Sequence, residues 1–338
     1  MKLGAYTACL HDKLVAEALK ILRELGLDSA EINSGGFLPA PHLPIAAVRA
    51  SQDARDEYLE LFRSSGVTLT ALNCNGNPLH PDPEVRDKHA QDLRNSISLA
   101  ALLGVRRVVT MSGLPAAHAG GRSPSWTHGP LWDSVYLDAR DYQWQEVAIP
   151  FWQDIQARAR EVDVKVCIEM HPHMLVYNPA TMERLASEIN ATHVGAEMDP
   201  SHLFWQGIDP IAALERLGSL VYNAAAKDTR INAAARVFGV LDDRFGRVAP
   251  SDPGAVSLGG RYTLSRWPEN SSWDFVAVGR GHDVAFWGAF LQALHKIDPD
   301  IAVNIEHEDQ ELDQLEGLRY AAETLRKAAS PLEVAPAR

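Results

Sequence analysis

The chain has 338 residues, 46% of them hydrophobic, and a formal net charge of −12 at pH 7. An acidic surface repels phosphate backbones, which disfavours nucleic-acid binding, and no apolar run approaches the roughly 18 residues of a membrane-spanning helix. Three widely spaced cysteines argue against a disulfide framework, and the first residues lack the pattern of a signal peptide. We therefore expect a cytoplasmic protein with a large core that binds neither nucleic acid nor membrane.

Short apolar segments alternate with longer amphipathic ones along the chain, which predicts strands followed by helices. The predicted strands are Lys2–Thr7, Ser29–Asn33, Leu69–Asn75, Arg107–Ser112, Lys165–His171, Val194–Pro200, Val221–Asp228 and Ile301–Asp309. The predicted helices are His11–Leu25, Asp53–Ser64, Pro83–Leu103, Tyr142–Glu161, Pro179–Glu188, Pro210–Leu217, His282–His295 and Leu312–Ala329. Eight such repeats in succession predict one (β/α)8 TIM barrel over residues 1–329.

Two long insertions, at about residues 113–142 and 229–281, follow predicted strands four and seven, and the tail at 330–338 is expected to fray. Loops in these positions lie on the catalytic face of a barrel, and loops of this length are usually functional. The insertions and their flanks are rich in tryptophan: Trp126, Trp132, Trp144, Trp267 and Trp273. Aromatic walls suit an aromatic ligand, although capping of the core or a subunit interface is an equal alternative.

Three acidic residues share one orientation near the ends of three strands. Side chains alternate faces along a strand, and the apolar Val166 and Ile168 should face the helices. Glu169 then points into the barrel, and the same parity directs Asp199 and Glu306 inward from strands six and eight. Carboxylates that converge in this way repel one another unless a cation lies between them. We therefore predict a divalent metal site, with Mn favoured and Mg, Co or Zn as alternatives.

The competing interpretation is that one or two of these acids pair instead with Lys227 or Arg230. A lone acid at a strand end would not distinguish the two interpretations. The shared inward parity on three strands favours the metal.

The segments that follow the acids carry a family resemblance. Strand six continues as Asp199-Pro200-Ser201-His202, and strand eight as Ile305-Glu306-His307-Glu308-Asp309. Together with the strand order, they resemble the xylose-isomerase-like barrels, which include sugar isomerases and epimerases, inosose dehydratases and endonuclease IV. The resemblance covers about residues 2–328. It implies a metal-dependent enzyme that acts on a small sugar substrate.

The pattern departs from those relatives at strand seven. Most carry a metal-ligating histidine two residues before the Lys-Asp pair, and the matching residue here is Ala225. We expect His282 to be the fourth ligand, because the glycines beside it let its loop approach the pocket closely. His202 and His171 are its rivals.

Two branches of the family fit poorly. The trinuclear zinc site of endonuclease IV needs histidines from the early strands, where the inward residues here are Glu31, Asn33, Asn73 and Asn75. The familiar epimerases use a second glutamate shortly after the strand-five ligand, and the stretch His171–Tyr177 has no carboxylate. A proton shuttle between two glutamates is therefore disfavoured.

A closer resemblance lies around the second insertion. The segments are Asn223–Asn232, Gly239–Phe245, Trp273–Phe275 and Gly279–Asp283. They look like the α-subunits of bacterial C-glycoside deglycosidases and their isomerase-like kin. That resemblance implies a metal-dependent barrel that works with a small β-subunit and cleaves the carbon–carbon bond between a 3-oxo sugar and an aromatic aglycone.

Both activities begin with proton abstraction next to a sugar carbonyl, and a histidine suits that task near neutral pH. The candidate catalytic residues are His171, His202, Lys227 and Glu306. The candidate substrate contacts are Asn73, Trp126, Arg230 and Trp273. Two alternatives to the lyase are a sugar isomerase or epimerase acting on a free ketose and a non-catalytic sugar-binding or scaffold subunit. We expect an oligomer, with the small β-subunit as a candidate partner.

Overall fold

Eight parallel strands pair side by side into a closed barrel, in the order β1-β10-β7-β6-β5-β4-β3-β2, which confirms the predicted (β/α)8 fold. The computed structural model describes residues 1–129 and 131–333, so the end of the predicted tail, 334–338, lies outside the described residues. The strands are β1 (Lys2–Tyr6), β2 (Ser29–Asn33), β3 (Thr68–Asn73), β4 (Arg107–Met111), β5 (Lys165–Glu169), β6 (Val194–Met198), β7 (Val221–Ala226), β8 (Asp228–Ile231), β9 (Trp273–Val276) and β10 (Ala302–Ile305).

Helices follow the barrel strands and surround them. They are α1 (Val15–Glu24), α2 (Ile45–Ala50), α3 (Gln52–Ser65), α4 (Pro83–Leu103), α5 (Ser134–Asp141), α6 (Ile149–Glu161), α7 (Pro179–Glu188), α8 (Ser201–Phe204), α9 (Pro210–Leu217), α10 (Ala235–Phe238), α11 (Val284–Ile297) and α12 (Gln314–Glu333). In the part of the chain that the structure describes, none of them is long and apolar enough to span a bilayer.

Helix α4 illustrates how local sequence sets the limits of these elements. The Asp82 side chain accepts a hydrogen bond from the backbone N–H of Glu84 at 3.1 Å, and Pro83 supplies a preset φ at the first helical position. The helix ends at Gly104, whose φ of 70° lies in the left-handed region that favours glycine. These start and stop residues explain why the helix was predicted with the correct bounds.

Several strands end earlier than predicted. Strand β5 stops at Glu169 and β6 at Met198, each two residues before its predicted end. Pairing of β7 ends at Ala226, and the next residues form a separate antiparallel hairpin of β8 and β9. The helix predicted from Tyr142 instead begins with a π-helical turn, Tyr142–Ala148, that leads from α5 into α6. The acidic residues therefore stand at the strand ends, where side chains can converge.

Below the C-terminal ends of the strands, the side chains inside the barrel form two layers. A small, mostly apolar cluster nearer the strand starts consists of Ala71, Val109, Cys167 and Tyr222. A polar layer lies above it, where buried Glu31 accepts hydrogen bonds from the side-chain amides of Asn73, Asn223 and Asn304. Buried Glu197 also accepts one from Asn223, and burial followed by the nearby Glu31 raises the pKa of Glu197 well above its usual range. This hydrogen-bonded layer, in which Asn223 Oδ1 alone of the named amide oxygens lacks a partner among the described residues, lies beneath the residues at the mouth of the barrel.

The segment between β8 and β9, residues 232–272, reaches across the mouth of the barrel. It starts after β8, which directly follows the end of β7. Its Tyr262 ring lies 5.1 Å from the ring of His80, which follows β3. In the closed barrel β3 and β7 lie opposite each other, with β4, β5 and β6 between them on one side. We call residues 232–272 the roof segment.

Candidate metal centre

Glu169, Asp199 and Glu306 meet at the mouth of the barrel. One carboxylate oxygen from each lies within 4.8 Å of the others. Glu169 ends β5, while Asp199 and Glu306 directly follow β6 and β10, so three different strands position the cluster. Glu169 and Asp199 are almost fully buried, and Glu306 is partly exposed. The arrangement gathers hard oxygen donors in one place, as a divalent cation requires.

His202 lies against two of these acids. Its Nε2 is 3.0 Å from Glu169 Oε1 and 3.3 Å from Asp199 Oδ2, because the short helix α8 turns back over the strand end. Burial, followed by the neighbouring His171, lowers the pKa of His202 to about 3. The ring is therefore neutral, the form in which imidazole ligates a metal. The ring of His171 lies 4.1 Å from that of His202, and both form a second cluster with Glu169.

Asn75 holds the other oxygen of Glu169. Its Nδ2 donates a hydrogen bond of 2.6 Å to Glu169 Oε2, and its Oδ1 is buried without a hydrogen-bond partner among the described residues. Alternation along the strand predicts that Asn75 faces inward, but it predicts no contact between Asn75 and the acids. Asn73, the predicted substrate contact, lies one layer lower, where it donates to Glu31 and accepts from the Asn75 backbone. The structure therefore favours Asn75 over Asn73 as the residue at the site.

We expect Asn75→Ala to weaken metal binding by roughly tenfold, because residues that orient a ligand typically contribute 10- to 100-fold to affinity. The loss should appear in a calorimetric titration of metal-free protein with MnCl2. Asn95→Ala, on the surface of α4, is the matched control and should bind as the wild type does. An Asn75→Ala affinity equal to that of the control would contradict the positioning role.

Lys227 is the buried cation of the site. Its Nζ lies 3.6 Å from Glu306 Oε1, 2.8 Å from Glu308 Oε1 and 4.4 Å from the centre of the Phe275 ring. Arg230, in contrast, pairs with Glu311 and Asp274 in the hairpin. The competing interpretation of the sequence thus applies in part, since Glu306 does pair with a lysine. Two further buried carboxylates, those of Glu169 and Asp199, remain beside that pair.

The unbalanced negative charge affects the protonation of the acids. Burial raises the pKa of Asp199 to about 7; Lys227 opposes that shift and Glu169 adds to it. Burial also raises the pKa of Glu306 well above its usual range. Burial also acts to raise the pKa of Glu169. The hydrogen bond from His202, together with the nearby His171 and Lys227, outweighs burial and brings the pKa of Glu169 down to about 2.

Asp199 also provides a direct test of whether a cation fits. Its Oδ2 is buried and accepts no hydrogen bond from the described residues; His202 Nε2, 3.3 Å away, is directed at Glu169 instead. A buried carboxylate oxygen without a partner is costly unless a cation satisfies it. Together with the oxygen donors around it, this atom fits a hard or borderline divalent ion.

Metal binding should therefore strengthen as the pH rises. Below the Asp199 pKa of about 7 the ion must displace a proton from this ligand, so affinity rises by up to about tenfold per pH unit in that range. The folded pKa exceeds the unfolded value of about 3.9, so the metal-free protein loses unfolding free energy as the pH rises from about 4 to about 7. Thermal unfolding of metal-free protein, with and without MnCl2 across this range, checks both effects. A metal-induced shift independent of pH would contradict them.

His282 does not join the acids. Its Nδ1 lies 2.7 Å from Asp228 Oδ1, and its ring stacks on Phe204 with 3.7 Å between centroids. Buried Asp228 also accepts hydrogen bonds from the backbone N–H groups of Gly279, Gly281 and His282. These bonds anchor the glycine-rich loop away from the cluster, contrary to the expectation that the loop would bring a fourth ligand. Among the described residues His202 is the histidine that lies against both Glu169 and Asp199.

The remaining predicted contacts lie in the two insertions. The indole N–H of Trp126 donates to the carbonyl of Met174, and the indole of Trp273 stacks on Trp205 and donates to the carbonyl of Val240. Phe275 belongs to a motif segment but has no separate role predicted from the sequence, and it lies beside His202 and Lys227. Its ring lies 5.4 Å from that of His202 and beneath Lys227 Nζ. An aromatic wall formed by Trp205, Trp267, Trp273 and Phe275 thus borders the site.

Comparison with known proteins gives a family and a fold. The model of a family described as xylose isomerase-like TIM barrel matches residues 19–328. The uncharacterized protein YfiH of Bacillus subtilis (strain 168) is 35% identical over 333 residues, 98% of this chain and 100% of that protein. The zinc-bound IOLI protein has a TM-score of 0.60 at 18% identity, covering 98% of each chain. The 3-keto-D-glucoside 4-epimerase YcjR from E. coli has a TM-score of 0.58 at 14% identity, covering 98% of this chain and 99% of that one.

Proposed function

The chain belongs to the xylose isomerase-like TIM-barrel family, and on this premise we propose that it is a divalent-metal-dependent enzyme that acts next to the carbonyl of an oxidised sugar. The observation that carries the proposal is the convergence of Glu169, Asp199 and Glu306 around a buried carboxylate oxygen that lacks a partner. A charged cluster of this kind is a poor structural element and a good metal site.

In this proposal the three acids and His202 hold the ion, and Mn is the favoured metal, with Mg, Co or Zn as alternatives. The zinc in the related IOLI fold supports a divalent ion in general. When bound, the ion supplies Lewis-acid polarisation of the sugar carbonyl and stabilises the negative charge that develops on its oxygen.

Proton transfer is assigned to the histidine pair. His202 serves as a metal ligand in this proposal, whereas His171 is half-buried beside it, with 4.1 Å between the two rings. We assign His171 as the base and Lys227 as a fixed positive charge that lowers the energy of the enediolate. Glu306 is assigned as a metal ligand and as the alternative base.

The reaction we favour is elimination from a 3-oxo glycoside. A carbonyl at C3 acidifies the hydrogen on C2; once that proton leaves, the electron pair forms the C1–C2 double bond and the bond from C1 to the aglycone breaks. The aglycone carbon takes up a proton, which balances the step. The motif resemblance around Asn223–Asn232 and Trp273–Phe275 supports this reaction, as does the aromatic wall beside the site, which suits an aromatic aglycone.

Epimerisation is the second candidate, favoured by the fold similarity to a 3-keto-D-glucoside 4-epimerase. The same carbonyl acidifies the hydrogen on C4, and return of a proton to the opposite face inverts that carbon without cleavage. The two candidates share the metal site and differ in which proton is removed.

Incubation of the purified chain with MnCl2 and a 3-oxo-C-glucoside in D2O distinguishes the candidates by NMR. Elimination predicts loss of the C2 hydrogen signal with release of the aglycone, which carries the solvent deuteron on the carbon that was bonded to C1. Epimerisation predicts deuterium at C4 with the glycosidic bond intact. Absence of both from a metal-loaded chain would contradict the enzyme and favour a non-catalytic sugar-binding or scaffold subunit.

A further inference from the structure

The roof segment exposes an unusual amount of apolar surface. Six of the sixteen large hydrophobic side chains exposed by the described residues belong to it, although it forms about one eighth of the chain. They are Val237, Phe238, Leu241, Phe245, Val256 and Leu264. Val237 is 78% exposed and Leu241 64% exposed. Clustered exposure of this kind marks an interaction surface, because scattered single residues are the norm on a monomer.

Backbone hydrogen bonds and a cation–π contact tie parts of the roof segment together. Gly246, next to Phe245, exchanges backbone hydrogen bonds with Arg266, and the backbone N–H of Leu264 donates to the carbonyl of Val256. At the other end the Arg244 guanidinium lies 3.9 Å from the centre of the Phe238 ring. These contacts order the parts of the roof segment that carry the exposed side chains.

The charge of this surface indicates what covers it. The roof segment carries five arginines and four acidic residues, a net charge of +1, whereas the rest of the chain carries −13. One arginine, Arg244, is paired with Asp242. The other four are Arg236, Arg247, Arg261 and Arg266, and all are exposed. Aromatic residues and arginine are enriched at protein interfaces, and charge complementarity favours an acidic partner for these arginines.

We propose that the outer face of the roof segment is a dimer interface that receives the acidic barrel surface of a second copy of this chain. In a twofold-symmetric pair each roof segment would lie on the other barrel, so the contact forms twice and closes. The inner side of the roof segment carries Trp267, which packs on Trp273 and Phe275 beside the metal centre. The dimer contact thus also fixes the wall of the site. The proposal does not depend on which reaction the site performs.

Sedimentation velocity tests the proposal directly. The wild type should sediment as a species of twice 37.1 kDa, and Val237→Asp with Leu241→Asp should sediment at 37.1 kDa. Both side chains are exposed, so the circular dichroism spectrum should match that of the wild type and report a folded chain. The control is Leu14→Asp, which is 78% exposed but lies outside the roof segment and should stay dimeric. Arg236→Glu with Arg247→Glu should raise the dimer dissociation constant at least about tenfold, as should an increase in salt.

Two results would overturn the proposal. One is a wild type that remains monomeric at every concentration, including one that associates instead with a different, smaller subunit. The other is a folded Val237→Asp, Leu241→Asp variant that still sediments as a dimer. Val237→Ser with Leu241→Ser provides the same test if the aspartates prevent folding.

Discussion

Glu306→Ala should abolish both metal binding and turnover. Removal of a direct ligand costs more than removal of a residue that only orients one, so we expect Mn affinity to fall by more than about 100-fold. Turnover should fall by at least about a thousandfold, because the ion is the main stabiliser of the developing charge. Lys227 keeps its 2.8 Å contact with Glu308, so the barrel should remain folded.

Calorimetric titration with MnCl2 measures the first loss, and NMR of a 3-oxo-C-glucoside incubated with the variant, as described above, measures the second. Glu169→Ala should behave in the same way, with a larger cost in stability because it also frees the side chains of Asn75 and His202. Glu316→Ala, exposed on α12, is the control and should leave both readouts unchanged. Mn binding by Glu306→Ala with wild-type affinity would exclude Glu306 as a ligand.

Lys227→Met should lower turnover without weakening metal binding. A fixed cation aimed at developing negative charge typically contributes about 100- to 1,000-fold to turnover, and we expect a loss in that range. Metal binding should be kept or become tighter, because Lys227 no longer competes with the ion for Glu306, 3.6 Å away. The metal-free variant should be less stable than the wild type, since the carboxylates then lack a buried counter-charge.

Turnover of the 3-oxo-C-glucoside and metal titration, measured on the same preparation of Lys227→Met, check this prediction. Lys20→Met, which removes an exposed lysine on α1, is the matched control. Loss of metal and turnover together in Lys227→Met would mean that the lysine maintains the site rather than acting in the reaction.

Alternation along strands explains why the acids could be located from the sequence. Cys167 lies in the inner cluster, whereas Val166 and Ile168 pack among the helices, so the parity assigned to strand five is the parity found. Parallel strands in a closed barrel end at the same rim, so inward carboxylates on β5, β6 and β10 must converge there. The convergence of the three acids thus follows from alternation along the strands together with the closed-barrel fold.

Residues outside the strands could not be placed in this way. The position of His282 depends on backbone hydrogen bonds to Asp228, and sequence spacing carries no information about them. Asn75 lies two residues beyond the end of β3, where alternation still holds but the strand pattern has stopped. The path of the roof segment depends on contacts such as that between Tyr262 and His80, far apart in sequence.

The most direct test of the metal centre is anomalous X-ray diffraction from a crystal grown with MnCl2. We predict one strong manganese peak per chain, with oxygens of Glu169, Asp199 and Glu306 at about 2.0–2.3 Å and His202 Nε2 beside them. A fully occupied peak elsewhere, or no peak at the acids under saturating MnCl2, would contradict the proposed site.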